Sequence, residues 1–182
     1  MPEQPGRLSR ATILKIAAWL IVLGIAFGSL VLPALKGRVL LDSQAQGCLP
    51  WHVYLSSTRD GLALRPGDLV VFDTPKMKAI DPTNAYSKLK MVAAVTGQTV
   101  SVHDHAIWID GRYWGRFWIA PWIMQKHIPV DAPWFRDGHS VDGTWVIPSG
   151  EVLLLGTEPY SFDGRYWGFL KDSSIGMMAT AI

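Results

Sequence analysis

The chain has 182 residues, 49% of them hydrophobic, a formal net charge of +2 at pH 7 and one cysteine. So small a positive charge, without a run of basic residues, argues against nucleic acid as a partner. A single cysteine excludes an intramolecular disulfide, and in an oxidising compartment a lone thiol is a liability unless it is used. Setting aside about twenty apolar residues near the N-terminus leaves one domain of ~140–150 residues, enough for a real core.

Residues 1–15 read as a polar cytoplasmic tail with Arg7, Arg10 and Lys15. From Ile16 to Leu35 no residue is charged. At 1.5 Å per residue this stretch reaches ~30 Å, the thickness of a hydrocarbon core. Lys15 and Lys36 bracket it and can snorkel to the two interfaces, with Trp19 near the inner one. The run is too long for an ordinary cleaved signal and no Ala-x-Ala site follows it directly. The expectation is an uncleaved single-pass anchor over 16–35, with 36–182 on the far side of the membrane.

Beyond the anchor the apolar period changes. Short runs rich in Val, Ile, Leu and aromatics predict strands at Trp51–Ser56, Asp68–Phe72, Leu89–Val95, Thr99–His103, Ala106–Ile109, Thr144–Ile147, Glu151–Leu155 and Met177–Ile182. Turn chemistry separates them at Arg65-Pro66-Gly67-Asp68, Thr96-Gly97, Asp110-Gly111 and Pro148-Ser149-Gly150. Asp110-Gly111 is a strong hairpin cue. The fold class is therefore mainly β, a coiled, barrel-like antiparallel domain behind one transmembrane helix. Residues 74–88, with Lys76, Lys78, Asp81, Pro82 and Asn84, are polar and predict a surface loop. Six of the nine tryptophans fall between Trp108 and Trp145. The Trp-rich segment at about 112–145 reads either as a surface resting in the bilayer interface or as an accessory β lobe with an aromatic core.

Cys48 lies in Gln46-Gly47-Cys48-Leu49-Pro50-Trp51, a loop sequence in which Gly and Pro favour exposure and a fixed geometry. A nucleophile needs that setting; an incidental buried cysteine does not. The thiol needs a base. His52 is close in sequence, but on a strand it points along the sheet. No histidine has metal-ligand spacing, so neither a metal nor a cofactor is expected. Lys90 sits in the apolar run Leu89–Val95. Buried there it can work as a neutral general base; at a sheet edge it would face solvent instead.

Several patterns then occur in one order. They are Gly47-Cys48-Leu49-Pro50, Arg65–Phe72, Leu89–Gln98, Gly156 followed by Ser161–Gly168, and a last run from Gly176 to Ile182. Together, behind an anchor, they resemble the type I signal peptidases, membrane endopeptidases with a Ser/Lys dyad. Cys48 stands where that family has its serine. The short spacing to Pro50, with Tyr54 beyond, looks most like the conjugative-transfer (TraF-type) branch, whose members process pilin precursors.

The resemblance implies that Cys48 attacks the scissile carbonyl and Lys90 takes its proton, then activates water. It implies that Ser161 hydrogen-bonds and orients Lys90, and that Asp163 and Arg165 form a supporting ion pair. The Cys48 N–H supplies one oxyanion donor, and Gln46 stands where the family often has a serine as the other. Thr157-Glu158-Pro159-Tyr160 departs from the family pattern. A thiol, with a reference pKa near 8.5, needs less help than a hydroxyl. Its thioester is also a good donor to amines, so the TraF-type resemblance brings pilin cyclisation by transpeptidation beside hydrolysis.

The expected partners are a membrane-embedded pilin precursor, the lipid bilayer and other components of a conjugation or type IV secretion machine. The expected place is a bacterial inner membrane, with the domain on the periplasmic side. A non-catalytic binding or assembly subunit of such a machine, on the same fold, is the alternative.

Overall fold

In the computed structural model, residues 9–34, 37–42, 47–78, 80–83, 87–116, 121, 123, 130–136 and 139–182 are described. The chain divides into two units, residues 1–38 and residues 39–182.

The first unit carries helix α1, Arg10–Ala34. Ser9 sets its start. The Ser9 hydroxyl accepts from the Thr12 amide at 3.2 Å and the Ile13 amide donates to the Ser9 carbonyl at 3.0 Å, an N-cap that begins the helix ahead of the apolar run expected to start at Ile16. The window Arg10–Ser29 is long and apolar enough to cross a membrane.

The second unit is built from antiparallel strands: β1 (Gly37–Leu41), β2 (Val53–Thr58), β3 (Leu69–Phe72), β4 (Lys88–Val95), β5 (Thr99–His103), β6 (Ala106–Ile109), β7 (Arg112–Arg116), β8 (Phe135–Arg136), β9 (His139–Ser140), β10 (Gly143–Val146), β11 (Glu151–Leu155), β12 (Leu170–Lys171) and β13 (Ile175–Ala181). A single helical turn, α2 (Gly164–Trp167), precedes β12. The large sheet runs β1-β2-β13-β3-β4-β11-β12, a second runs β10-β5-β6-β7, and β8 and β9 form a short ribbon.

Alternation along each strand decides which side chains meet. Val70, Phe72, Val92 and Leu154 point to one face of the large sheet and pack with Phe162, Tyr166 and Trp167. Ala93, Ala94, Leu153 and Leu155 pack against Val100, Val102, Ile107 and Ile109 of the second sheet, around Trp134. Leu49, Tyr54 and Leu69 form a third cluster with Leu89 and Met91. The Trp-rich segment thus contributes an aromatic core where it is described. Trp134 is fully buried and makes edge contacts with Trp145 (5.7 Å) and Phe169 (5.6 Å), and Trp114 packs on the same cluster. Phe117, Trp118 and Trp122 lie outside the described residues.

Asp110-Gly111 closes the β6–β7 hairpin with φ of 46° and 75°, the mirror-image turn that matches strand twist. The Asp110 carboxylate also accepts from the Thr99 amide (2.8 Å) and Gln98 Nε2 (2.6 Å), and these bonds hold its carboxyl below the ordinary value.

Among the described residues of 74–88, Pro75, Lys78, Ile80, Pro82, Thr83 and Ser87 are exposed as the polarity of the stretch predicts, but Thr74, Met77, Asp81 and Lys88 are buried. Thr74 caps a 3-10 turn, Pro75–Met77, whose Met77 enters the core. Asp81 and Lys88 are both buried and meet at 2.9 Å. Their opposite charges neutralise each other, which is what lets a polar sequence go inside.

Two substitutions test this packing. A Cβ on Gly164 would come 2.6 Å from Leu153 Cδ1 and 2.8 Å from the Leu154 carbonyl oxygen. Gly164→Ala is expected to cost roughly 1–3 kcal/mol, read as a lower urea midpoint at unchanged slope. Because the Asp110 carboxyl is held below 3.8, its stabilisation is complete above that pH and disappears as pH falls through the lowered value. The stability gap between wild type and Asp110→Asn should therefore shrink on acidification below about pH 4, measured by thermal melts.

Candidate active site

The site gathers at Gly156. Strand β11 pairs with β4 so that Leu154 lies opposite Val92 and Leu155 opposite Met91. Continued by one residue, that register sets Gly156 opposite Lys90. A Cβ on Gly156 would meet Ser161 Oγ at 2.5 Å and the Cys48 carbonyl oxygen at 2.6 Å. The carbonyl of Cys48 and the hydroxyl of Ser161 therefore converge on the side of Gly156 where a Cβ would stand. The Thr157 amide donates to the Cys48 carbonyl at 2.8 Å, with the Thr157 hydroxyl at 3.4 Å, and fastens the cysteine loop to the end of β11.

Cys48 is a free, partly exposed thiol on the connection between β1 and β2. Its neighbour Leu49 is buried and anchors the loop in the cluster of Tyr54 and Leu69. A Cβ on Gly47 would come 2.6 Å from Asp42 Oδ2 and 3.1 Å from the Leu49 carbonyl oxygen. The buried Tyr54 hydroxyl donates to the Trp51 carbonyl. Burial first, then the Asp42 carboxylate, with a further contribution from Cys48, push the Tyr54 phenol above its usual value. His52 is exposed and its Nδ1 lies 3.3 Å from the Asp42 carbonyl oxygen. Gln46 lies outside the described residues.

Lys90 is buried, 5% exposed. Val70 stands opposite it in β3, and Val92 follows it on the same face. No hydrogen bond or ion pair joins Lys90 to another described residue. Ser161 Oγ is likewise buried without a partner. The hydrogen bond between the two that the resemblance implies is not formed in this structure.

Asp163 and Arg165 meet at 3.3 Å, both essentially inaccessible. Asp163 does three things at once. Its Oδ2 accepts from the Gly156 amide (2.7 Å), its Oδ1 accepts from the Arg165 amide (3.0 Å) as the cap of α2, and its charge balances the guanidinium. Arg165 in turn donates to the carbonyls of Gly156 (2.6 Å) and Glu158. Gly156 is thus gripped at both its N–H and its C=O by one ion pair. Trp134 Nε1 holds the Arg165 carbonyl at 2.9 Å.

Gly156 as the meeting point and Thr157 as the fastener were not visible in the sequence, where Thr157 registered only as a departure from a pattern. Asp42 carried no sequence signal at all. His103 and His105 stand apart, paired with Asp142 (2.9 Å) and Ser140 (2.9 Å).

The signal peptidase, peptidase S26 family model matches residues 13–182. The chain belongs to that family. As a signal peptidase family member with an N-terminal apolar helix, it is a membrane-anchored peptidase. Among solved structures it is similar to a signal peptidase I from Enterococcus faecalis V583, at 22% identity and a TM-score of 0.36, over 63% of this chain and 94% of that one. No curated protein matches the chain.

In this signal peptidase family member, Gly156→Ala should leave the circular dichroism spectrum intact but displace Ser161 and the Cys48 loop. A displacement near 1 Å is expected to lower peptide cleavage on the order of 10²-fold, measured on a detergent-solubilised enzyme.

Proposed function

We propose that this peptidase uses a Cys48/Lys90 dyad to mature a pilin precursor for conjugative transfer, joining the new pilin ends by transpeptidation as well as hydrolysing the precursor. The observation that supports the dyad most is the grouping at Gly156. Two segments distant in sequence bring the Cys48 carbonyl and the Ser161 hydroxyl together at Gly156, just past the strand that pairs with the one carrying the buried Lys90.

The chemistry follows from those groups. Lys90 takes the thiol proton as Cys48 Sγ bonds to the scissile carbonyl carbon, and the Cys48 N–H donates to the oxygen that gains charge. The tetrahedral adduct then expels the amine of the downstream peptide, which takes the proton back from Lys90. A thioester remains on Cys48. Water, deprotonated by Lys90, attacks it to give a free acid and the thiol. An N-terminal amine attacking in place of water gives an amide and the thiol, which closes a ring when both ends belong to one pilin. In this reading Ser161 hydrogen-bonds Lys90 in the substrate complex and orients it. Asp163 and Arg165 hold the floor under it, and Gln46 is the proposed second oxyanion donor.

The substrate is read as membrane-embedded and the domain as periplasmic, on the inner membrane. The exposed apolar residues of the first two strands, Val39, Leu41, Val53 and Leu55, suit work close to a lipid surface or beside other components of a conjugation or type IV secretion machine.

Mass spectrometry of the cognate pilin, co-expressed with wild type, Cys48→Ala or Lys90→Ala, tests this. Wild type should give mature pilin, with the ring lighter than the linear form by one water. Each variant should lose at least about 10²-fold in maturation rate. Unchanged maturation in both variants ends the proposal. Cys48→Ser, which replaces the thioester by an ester, is expected to shift the product from ring toward linear pilin.

A further inference from the structure

Tyr54 belongs to the sequence pattern of the cysteine loop, and the proposed reaction gives it no task. It is the second residue of β2, buried to 1% exposure and paired with Ala181 of β13. Strand β2 has a neighbour on each side, β1 and β13, so Tyr54 stands on a firm element and can hold a less firm one. What it holds is the loop of Cys48. Its ring packs in one cluster with Leu49, the residue after the cysteine, and its hydroxyl donates to the Trp51 carbonyl. Burial first, and then the Asp42 carboxylate, push the phenol above its ordinary value. The hydroxyl therefore keeps its proton, and remains a donor, throughout the neutral range.

Hydrogen bonds to this loop are few. Among the described residues, the segment 47–51 is bonded at two points, the Cys48 carbonyl by Thr157 and the Trp51 carbonyl by Tyr54. Between those points Leu49 is buried and the ring of Pro50 fixes its φ. One tie comes from the end of β11 and the other from β2, so each end of the segment hangs on a different strand of the large sheet.

We propose that Tyr54 is a positioning residue: by holding the Trp51 carbonyl it sets the direction in which Cys48 presents its thiol and its N–H to a scissile carbonyl. The inference rests on Cys48 being the nucleophile of the proposed reaction. Sγ must approach the carbonyl carbon while the N–H of the same residue meets the oxygen, and both demands fall on the torsions of one residue. Without the hydroxyl, Leu49 still packs on the ring and the loop stays in place. Its downstream end is released, however, and the two demands are met together less often. The loss falls on the chemical step rather than on substrate binding.

The test uses the full-length protein in detergent with a peptide substrate, each rate taken per titrated thiol and well below the melting midpoint of the variant. Tyr54→Phe keeps the ring and removes the bond. It should lower kcat about tenfold or more while KM stays within about twofold of wild type. Alkylation of Cys48 by iodoacetamide needs an exposed thiol but no oriented N–H, and its rate should stay within about twofold. Tyr54→4-aminophenylalanine, which puts an N–H donor where the hydroxyl was, should recover most of kcat. Were the hydroxyl merely structural, kcat and the alkylation rate would fall together or neither would fall. Either result overturns the inference, as does a raised KM with kcat unchanged. Failure of the proposed nucleophile is seen separately, as undiminished cleavage by Cys48→Ala.

Discussion

Burying the carboxylate of Asp163 against the guanidinium of Arg165 is the constraint on which the rest of the site depends. Two charges taken out of water hold together only when nearly every remaining lone pair and proton finds a partner. Here those partners are the main-chain groups of Gly156, Glu158 and Arg165 itself. The segment from Gly156 to Arg165 can therefore close in essentially one way. Its closure fixes the glycine, and the glycine fixes what crowds against it, the cysteine loop and the Ser161 hydroxyl. The site is a by-product of satisfying an ion pair.

Much of this architecture was legible in the sequence because strand alternation is a strong signal. Thr99–His103, Ala106–Ile109 and Glu151–Leu155 are strands over the residues that periodicity indicates, and the other expected strands shift at one or both ends. The strands that escaped notice are mostly short or interrupted. Phe135–Arg136, His139–Ser140 and Leu170–Lys171 are too brief to show a period, and Arg112–Arg116 carries charges and a glycine where apolar residues would mark a face. The segment around Asp81 misled for a different reason. Composition counts charges one at a time, whereas burial depends on whether two of opposite sign meet, and the sequence does not show that Asp81 and Lys88 do.

The same limit governs the site. Cys48 and Lys90 stood out because a thiol between Gly and Pro, and a lysine inside an apolar run, are each unusual for their surroundings. Gly156 and Thr157 did not, since their importance comes from approach distances between segments far apart in the chain. The family match over residues 13–182 makes the order of the motifs meaningful. It is the packing at Gly156, however, that brings the Cys48 loop and Ser161 together.

Trp134 ties the two sheets together in a way that reaches beyond packing. Its ring fills the core beneath the smaller sheet, while its N–H holds the carbonyl of the residue whose guanidinium clamps Gly156. Slack in that aromatic layer therefore travels through one backbone oxygen to Arg165 and Gly156. A genetic screen for inactive variants would be expected to return lesions in the tryptophan cluster alongside those in the cleft, and to leave the two groups indistinguishable by phenotype.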